Sequence, residues 1–446
     1  MKHVVLGEHM RLAREGADFP PDGETILEGH LYDRLRRSDR KAQADGQHIF
    51  DWRDGYARTQ QWVGVVQVPG LQVEILPKLD ALDSSTELAP SAQHTARSNL
   101  LYMLAEGGEV PVRNRDIARL ATRKAPLSET LAAIFANRLR LELLRGPERY
   151  YQEREENLRT FKGKLLIGAH VRANAAHRER FFCRFDELCD DTPLNRIFKA
   201  ACRLLLALTS TPATQDALRQ CLLLLDGVSD VAVREADFAA ITLTRQNQRF
   251  EDVFRFCRLL LSGRTPSVEA GKVRSFSLLF DMNKVFERFV CSVLCRHVAP
   301  RIEGVRIFPQ ATKHHRYLMQ TKEGGVLRLE PDILIEHEGR RLIMDTKWKL
   351  LAPGKRGRGG VADDDLRQLH SYLRRYGSAR SVLLYPYIPG LQVRHFDVLD
   401  HQDELSGEQV AIRHVHLHRN LYKECERESL IGELEAIVRE GLGLPT

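Results

Sequence analysis

The chain lacks the features that mark several large classes of protein. Its eight cysteines include no C-x-x-C pair, and most lie in apolar helical runs such as FVCSVLC, which indicates buried, reduced thiols rather than a zinc site or a disulfide framework. We recognise no signal peptide and no apolar run long enough to span a bilayer. These absences predict a cytoplasmic protein that has no membrane association.

A nucleotide-binding loop is missing as well. The phosphate-cradling pattern G-x-x-x-x-G-K-[ST] does not occur, and the nearest glycine–lysine run, Pro353-Gly354-Lys355-Arg356, does not fit it. We also find no helix-turn-helix signature, zinc finger or aromatic cage that would read a base. We therefore expect this chain alone to bind no nucleotide.

The composition that remains is that of an ordinary globular protein with a small excess of basic charge. A length of 446 residues allows two or three domains, and 43% of the residues are hydrophobic. The formal net charge of +7 favours an anionic partner, but only weakly, because much of the arginine is predicted to lie on helix faces.

Changes of pattern along the chain predict three domains in a multidomain α+β or α/β protein. Residues 1–92 form a mixed, β-rich domain in which VGVVQV and LQVEILPK flank a turn at Pro69-Gly70. Residues 93–264 are mainly helical, with a helix starting near Pro193 and one short strand-like segment, LLIGAHV. Residues 265–446 form the last domain, which opens with a predicted helix, SLLFDMNKVFERFVCSVLCRHV.

The most informative stretch of the last domain is VLRLEPDILIEHEGRRLIMDTKWKL, residues 326–350. It predicts two antiparallel strands joined by a tight turn at residues 338–340, each with one apolar and one charged face. Because strand side chains alternate, Asp332, Asp345 and Lys347 are predicted to share a face. Two carboxylates and an ammonium group together are typical of a metal-dependent phosphodiesterase.

The chemistry explains why these residue types are needed. Mg²⁺ prefers oxygen ligands, so Asp332 and Asp345 are the predicted metal ligands, and the Thr346 carbonyl is a further one. Lys347 would face the attacking water or the scissile phosphate. A non-catalytic alternative is a solvated strand face on which Asp345 and Lys347 form a surface ion pair. The apolar strand LIMDTKW argues against it, because burying an unpartnered aspartate is costly.

Two predicted helices add candidates around this face. In DDDLRQLHSYLRRYG, Gln368 is a catalytic candidate that would orient water or phosphate. Side chains of the same helix that would contact DNA are Tyr372, Arg367, Arg374 and Arg375. Glu287 lies beside the apolar stripe of the earlier helix and is either a surface ion-pair partner or a carboxylate at the edge of a catalytic cleft.

The order of Glu287, Pro331-Asp332, Asp345-Thr346-Lys347 and Gln368/Tyr372 resembles the PD-(D/E)xK nuclease core. That resemblance implies a C-terminal restriction-endonuclease-like α/β/α domain. Over most of the chain, the segments VGVVQVPGLQVEILPKL, EENLRTFKGKL, DTPLNRIFKAA and LLFDMNKVFERFV are similar to the McrC family, the nuclease subunit of McrBC-type modification-dependent restriction systems.

The McrC resemblance implies a DNA endonuclease subunit of a type IV anti-phage restriction system, dependent on Mg²⁺ with Mn²⁺ as a substitute. It implies an N-terminal region that docks on a hexameric McrB-like AAA+ GTPase and stimulates GTP hydrolysis. The expected substrate is double-stranded DNA carrying modified cytosine, and the complex is compatible with a homodimer of this chain. Two other functions stay open: a non-cleaving adaptor of the GTPase, and a stand-alone nuclease. The basic loop at residues 352–362 has no assigned role.

Overall fold

The computed structural model of the protein describes residues 1–17, 25–44, 48–79, 90–111, 125–262, 268–269, 272–273, 275–311, 314–349, 351, 360–387, 394–399 and 404–445. These residues belong to two compact units. One combines Met1–Leu127 with Ser275–Thr446, and the other is Ser128–Arg274. The predicted mixture of α and β structure is confirmed, whereas the division into three domains stays a prediction.

In the described residues, the N-terminal part of the first unit contains two sheets and two helices. Its elements are β1 (Lys2–Gly7), β2 (Arg11–Arg14), β3 (Thr25–Leu27), α1 (Gly29–Ala44), β4 (Phe50–Trp52), β5 (Tyr56–Thr59), β6 (Trp62–Val68), β7 (Leu71–Leu76) and α2 (Pro90–Glu106). The turn predicted at Pro69-Gly70 is confirmed: β6 and β7 are antiparallel, and Gly70 adopts a φ of 84°. One sheet has the order β3-β2-β5-β4.

In the described residues, the second unit is mainly helical and contains a three-stranded sheet, β8-β10-β9, and a two-stranded sheet, β11-β12. Its elements are α3 (Leu127–Leu144), β8 (Tyr150–Leu158), β9 (Lys164–Leu165), α4 (Ile167–Ala173), β10 (Phe181–Cys189), α5 (Pro193–Leu208), α6 (Pro212–Leu224), α7 (Glu235–Ala239), α8 (Glu251–Ser262), β11 (Val268–Glu269) and β12 (Lys272–Val273). The helix start near Pro193 is confirmed, because the Thr192 side chain accepts the amide hydrogen of Asn195. The strand predicted at LLIGAHV is wrong: most of it is α4, since so short an apolar run fits either structure.

The C-terminal part of the first unit carries most of its sheet structure. Its elements are β13 (Phe276–Asp281), α9 (Met282–Val293), β14 (Arg306–Pro309), β15 (Arg316–Thr321), β16 (Gly324–Leu329), β17 (Ile333–His337), β18 (Arg340–Thr346), α10 (Asp363–Tyr376), β19 (Arg380–Pro386), β20 (Arg394–Leu399), β21 (Leu405–Val415) and α11 (Glu424–Leu442).

Strand β13 joins the two parts of this unit. It pairs with β6 and completes the N-terminal sheet, whose order is β1-β7-β6-β13. The helix predicted to open at SLLFDMNK is therefore wrong over its first residues, which form β13, and the helix begins at Met282. The strands approach closely at Gly64, where a Cβ would lie 2.1 Å from the Leu278 carbonyl oxygen, so only glycine fits.

A six-stranded sheet of order β14-β17-β18-β19-β21-β20 lies at the centre of the C-terminal part. Strands β18, β19 and β21 are parallel, and the other neighbours are antiparallel. Helix α10 packs on the face that carries Ile343. Helix α11 lies on the opposite face, where a Cβ at Gly441 would come within 2.5 Å of Leu342. Asp345 shares the face of Ile343, so it lies on the side of α10.

The predicted hairpin is confirmed at its turn and wrong in its first strand. Glu338 and Gly339, with φ values of 45° and 80°, connect β17 to β18. The residues before Pro331 instead form β16, which pairs with β15 in a separate two-stranded sheet. Pro331 has no N–H with which to continue the ladder. All of β17 is buried, because the sheet is covered on both faces, and the charged residues predicted for the first strand, Arg328, Glu330 and Asp332, all precede it.

No helix in the described ranges is long and apolar enough to cross a bilayer. Residues 352–359 of the basic loop at 352–362 lie outside the described residues.

Candidate active site

The structure places the two predicted metal ligands opposite each other on neighbouring strands. Asp345 is the penultimate residue of β18, and Asp332 immediately precedes β17. The register that pairs Ile333 with Met344 places Asp332 opposite Asp345 when it is continued by one residue. Directly opposed side chains on antiparallel strands have Cβ atoms about 5 Å apart, and two like charges there repel.

Asp332 is held in place by Thr346. The backbone N–H and the side-chain hydroxyl of Thr346 both donate to Oδ2 of Asp332, each at 2.7 Å. Burial nevertheless raises the pKa of Asp332, against the lowering effect of these bonds and of Lys347. Thr346 therefore orients one carboxylate through its donors, whereas the metal-ligand role predicted for its carbonyl stays a prediction.

Asp345 and Lys347 form a close ion pair inside the protein. The Lys347 Nζ lies 2.6 Å from Asp345 Oδ2, and Asp345 is only 1% exposed. Burial and the Asp332 charge raise the pKa of Asp345 to about 7, although Lys347 pulls it down. For Lys347, burial lowers the pKa, but the charges of Asp345, Asp332 and Asp365 together raise it by more, so the net shift is upward.

Helix α10 supplies a chain of hydrogen bonds above this pair. Lys347 Nζ donates to Gln368 Oε1 at 3.3 Å, and Gln368 Nε2 donates to the Tyr372 hydroxyl at 2.7 Å. The Tyr372 hydroxyl in turn donates to the Glu330 carbonyl at 3.1 Å, and burial raises the pKa of Tyr372 above its usual range. Gln368 and Tyr372, four residues apart, thus lie on one helix face next to Lys347.

Glu287 approaches the same site from α9. It is partly buried, and burial followed by the Asp332 charge raises the pKa of its carboxyl group. Its Oε1 accepts a hydrogen bond from Gln310 Nε2 at 3.2 Å. The structure therefore brings this glutamate to the aspartates, as the cleft interpretation of the sequence requires.

The three predicted DNA-binding arginines do not converge. Arg367 pairs with Asp364 at 3.5 Å, and Arg374 pairs with Glu408 at 3.3 Å. Arg375 donates to the Tyr317 carbonyl at 2.8 Å, beside β15. These partners lie along α10 and the neighbouring strands, so contact of the three arginines with DNA stays a prediction.

Asp365 is one residue near the site that sequence reasoning missed. It is 7% exposed, Lys349 Nζ lies 3.1 Å from its Oδ2, and its charge raises the pKa of Asp345. A signal was present in the sequence, because Asp365 is in helical phase with Leu369 and Tyr372 on the apolar face of α10.

Gln310 is a second residue that was missed. Its backbone N–H donates to the Asp332 carbonyl at 2.6 Å, while its side chain holds Glu287. It adopts a φ of 50°, which is uncommon for a residue other than glycine. Nothing in the sequence indicates this conformation, because tertiary contacts impose it.

The donor set suits a hard cation. Among the described residues no group of three or more His, Cys, Asp or Glu side chains is arranged to hold a metal. Mg²⁺ keeps several of its waters and needs only one or two carboxylates from the protein. Asp332, which is half-buried, and Asp345, which is buried, are two opposed carboxylates that fit that requirement, and Lys347 Nζ lies 2.6 Å from Asp345 Oδ2.

Comparison with known proteins identifies the family of this chain. A model of the family described as McrBC 5-methylcytosine restriction system component matches residues 57–386, which include both aspartates. The type IV methyl-directed restriction enzyme EcoKMcrBC of Escherichia coli (strain K12) is 22% identical over 255 residues, covering 55% of this chain and 72% of that protein.

Two solved structures from Thermococcus gammatolerans are similar. A chain of the half-complex from a tetradecameric assembly of McrB AAA+ hexamers with bound McrC has a TM-score of 0.70 at 20% identity, covering 98% of this chain and 100% of that one. A chain of the McrBC complex has a TM-score of 0.52 at 25% identity, covering 66% of this chain and 88% of that one. On the match of its residues 57–386, the chain belongs to the McrBC 5-methylcytosine restriction system component family.

Proposed function

We propose that this chain is the Mg²⁺-dependent DNA endonuclease subunit of a McrBC-like type IV restriction system, with its active site in a PD-(D/E)xK domain. One observation carries the proposal: Asp332, just before β17, lies opposite Asp345 of β18 when the strand register is continued, and Lys347 Nζ lies 2.6 Å from Asp345. Two carboxylates and a lysine in this arrangement suit the hydrolysis of a phosphodiester.

Each side chain has a role in this proposal. Asp332 and Asp345 hold the cation, and Thr346 orients Asp332. A bound Mg²⁺ ion supplies hydroxide near neutral pH and neutralises charge on the phosphate, and Mn²⁺ serves as a substitute. Lys347, held between Asp345 and Gln368, faces the scissile phosphate or the attacking water. Glu287 and Gln368 position water, and Tyr372 with the arginines of α10 contacts the DNA backbone.

The partners follow from the relatives. The Thermococcus gammatolerans assembly contains McrB AAA+ hexamers with bound McrC, so we propose a McrB-like AAA+ GTPase hexamer as the partner of this chain. We expect the chain to stimulate GTP hydrolysis without binding nucleotide itself, and to form a homodimer in the assembled complex. The proposed substrate is double-stranded DNA with modified cytosine, and the proposed location is the cytoplasm.

Replacing Asp345 tests this proposal. Asp345→Asn keeps the shape of the side chain but removes the negative charge that a cation needs, so we expect at least a thousandfold loss of cleavage by the complex reconstituted with partner, GTP and Mg²⁺ on modified DNA. Partner association and stimulated GTP hydrolysis should stay at the wild-type level, because the variant alters only this site. The measurement is the single-turnover cleavage rate.

Asp364→Asn is the matched control. Asp364 lies on α10 with its side chain 94% exposed, so the same change of atoms should leave cleavage at the wild-type rate. Retained cutting by Asp345→Asn would show that the site is misassigned. If the wild-type complex produces no cleavage but still stimulates GTP hydrolysis, the chain is an adaptor. Efficient cutting by the isolated chain would identify a stand-alone nuclease.

A further inference from the structure

Trp348 connects two segments of the candidate site. It directly follows Lys347, just beyond the end of β18, and is only 8% exposed. Its ring packs against Phe286 with ring centroids 5.4 Å apart, and Phe286 immediately precedes Glu287. Trp348 therefore links two segments: it follows Lys347 in the chain, and its ring contacts the part of α9 that carries Glu287.

The Trp348 indole is bound by a carboxyl group from the other end of the chain. Its Nε1–H lies 3.0 Å from each carboxyl oxygen of Glu8, a residue 340 positions earlier, in the loop after β1. The backbone N–H of Lys78 donates to Glu8 Oε2 at 3.1 Å, and Glu8 N–H donates to the Leu76 carbonyl at 3.0 Å. Glu8 thus ties the ends of β1 and β7 to the segment after β18.

Burying the carboxyl group of Glu8 costs free energy that packing alone does not require. It is 1% exposed, and burial raises its pKa to about 8, further raised by Asp281 and only partly lowered by its two donors. An apolar side chain of similar size would avoid this cost. The carboxyl group does what an apolar side chain cannot, because it sets the direction of the indole by hydrogen bonding.

The segment that Glu8 holds is fixed by individual side-chain and backbone contacts, because it lies beyond the sheet pairing of β18. Sheet pairing ends at Thr346, after which the Lys347 N–H donates to the Leu384 carbonyl at 2.9 Å. Two residues further on, Lys349 pairs with Asp365. Between these two residues, the Glu8 contact orients Trp348, which restricts the backbone positions of its neighbours Lys347 and Lys349.

We propose that Glu8 is a positioning residue for Lys347: by holding the Trp348 indole, the N-terminal sheet determines where the Lys347 ammonium lies relative to Asp345 and the phosphate. This inference rests on the proposed nuclease function and extends it, since it gives the N-terminal sheet a role in positioning a residue of the active site. A displacement of about 1 Å at a reacting group lowers a rate by up to about a hundredfold.

The test compares Glu8→Gln, Trp348→Phe and the double variant in the complete complex with partner, GTP and Mg²⁺. The glutamine turns an NH₂ group toward the donors of Trp348 or Lys78, and the phenylalanine keeps the ring on Phe286 but loses the N–H. We expect each single change to lower the single-turnover cleavage rate about tenfold to a hundredfold, with DNA affinity and GTP hydrolysis unchanged. The double variant should be no slower than the slower single variant, because both remove one interaction.

A second indole–carboxylate pair in the same unit provides a matched control. Trp52 Nε1 donates to Asp39 Oδ2 at 2.6 Å, within the N-terminal core around Tyr32 and Phe50. Trp52→Phe and Asp39→Asn remove the same chemistry from a region outside the candidate site. They should lower the free energy of unfolding by an amount similar to the test variants, while their cleavage rate stays at the wild-type level once corrected for the folded fraction.

A readout independent of activity completes the design. The chain has three tryptophans, so 5-fluorotryptophan labelling should give three ¹⁹F resonances for the full-length protein. Glu8→Gln should shift the Trp348 resonance, assigned from Trp348→Phe, and leave the other two in place. An unshifted resonance, or wild-type cleavage by either single variant, overturns the positioning role. Absence of cleavage by the wild-type complex instead overturns the proposed nuclease function, and the ¹⁹F result then still decides whether the contact exists.

Discussion

Most predicted site residues meet in one place. Asp332, Asp345 and Lys347 lie together, and Gln368 links Lys347 to Tyr372. Asp345 followed from the strand period of two, and Gln368 and Tyr372 followed from the helix period of 3.6, so the sequence was sufficient to predict their faces. Asp332 lies just before β17, outside the predicted alternation. The arginines of α10 were predicted from charge alone, and charge does not determine the partner of an exposed side chain.

The buried carboxyl group of Glu8 predicts a pH effect on stability. Its pKa is raised from an ordinary value of 4.5 to about 8, so the folded state keeps a proton that the unfolded chain loses. The stability that this proton contributes is present below about pH 4.5 and is lost as the pH rises toward about 8. The loss is on the order of 4 kcal/mol. We expect Glu8→Gln to remove this decline, as measured by urea unfolding at pH 5, 6.5, 8 and 9.

Other groups titrate over this interval, so the difference between the two proteins is the meaningful quantity. Titratable groups around Glu8 include Asp281, His9, Lys78 and Lys349. The variant leaves them in place. Equal slopes of stability against pH in wild type and Glu8→Gln would contradict the assignment of the effect to Glu8.

Among the secondary-structure elements, the β17–β18 hairpin sets the register of the site. Its two-residue turn pairs His337 with Arg340, and a slip of one residue would move Asp345 to the opposite face. Both turn residues have positive φ, a conformation that asparagine and glycine adopt readily and that β-branched residues do not. The sequence predicted this turn because a glycine separates two strand-like runs.

Substitution of Gly339 tests the turn. A Cβ at this position would meet no atom within 4 Å, so any effect comes from backbone conformation alone. We expect Gly339→Val to lower the free energy of unfolding by about 1–2 kcal/mol and Gly339→Asn to have a much smaller effect, both measured by urea denaturation. Equal destabilisation by the two variants would show that the left-handed conformation is not what selects glycine here.

In the whole molecule, the first unit is assembled from two distant parts of the chain. Strand β13 completes the N-terminal sheet, and the Asn99 side chain on α2 donates to the carbonyls of Leu417 and Arg419. Together with the contact between Glu8 and Trp348, these bonds tie Met1–Leu127 to Ser275–Thr446. The cost of closing a chain segment grows only slowly with its length, so the long intervening segment does not prevent this assembly.

Separate expression of the two parts tests that assembly. We expect fragments 1–127 and 275–446, co-expressed as two polypeptides, to purify as one complex, because every residue of β13 is paired with β6. A fragment of 282–446, which lacks β13, should retain much less of 1–127 and serves as the control. Equal retention by both C-terminal fragments, measured by affinity purification, would show that β13 does not hold the parts together.

The sequence by itself determined the order of the site residues, the face on which each lies within its own strand or helix, and the turn between β17 and β18. These are local properties, set by backbone periodicity and by the conformational freedom of single residues. Only the tertiary structure decided that Asp332 lies opposite Asp345, that β13 belongs to the N-terminal sheet and that Glu8 binds Trp348. Those contacts join residues up to 340 positions apart. They depend on which apolar surfaces are buried against each other, and local sequence patterns do not determine that pairing.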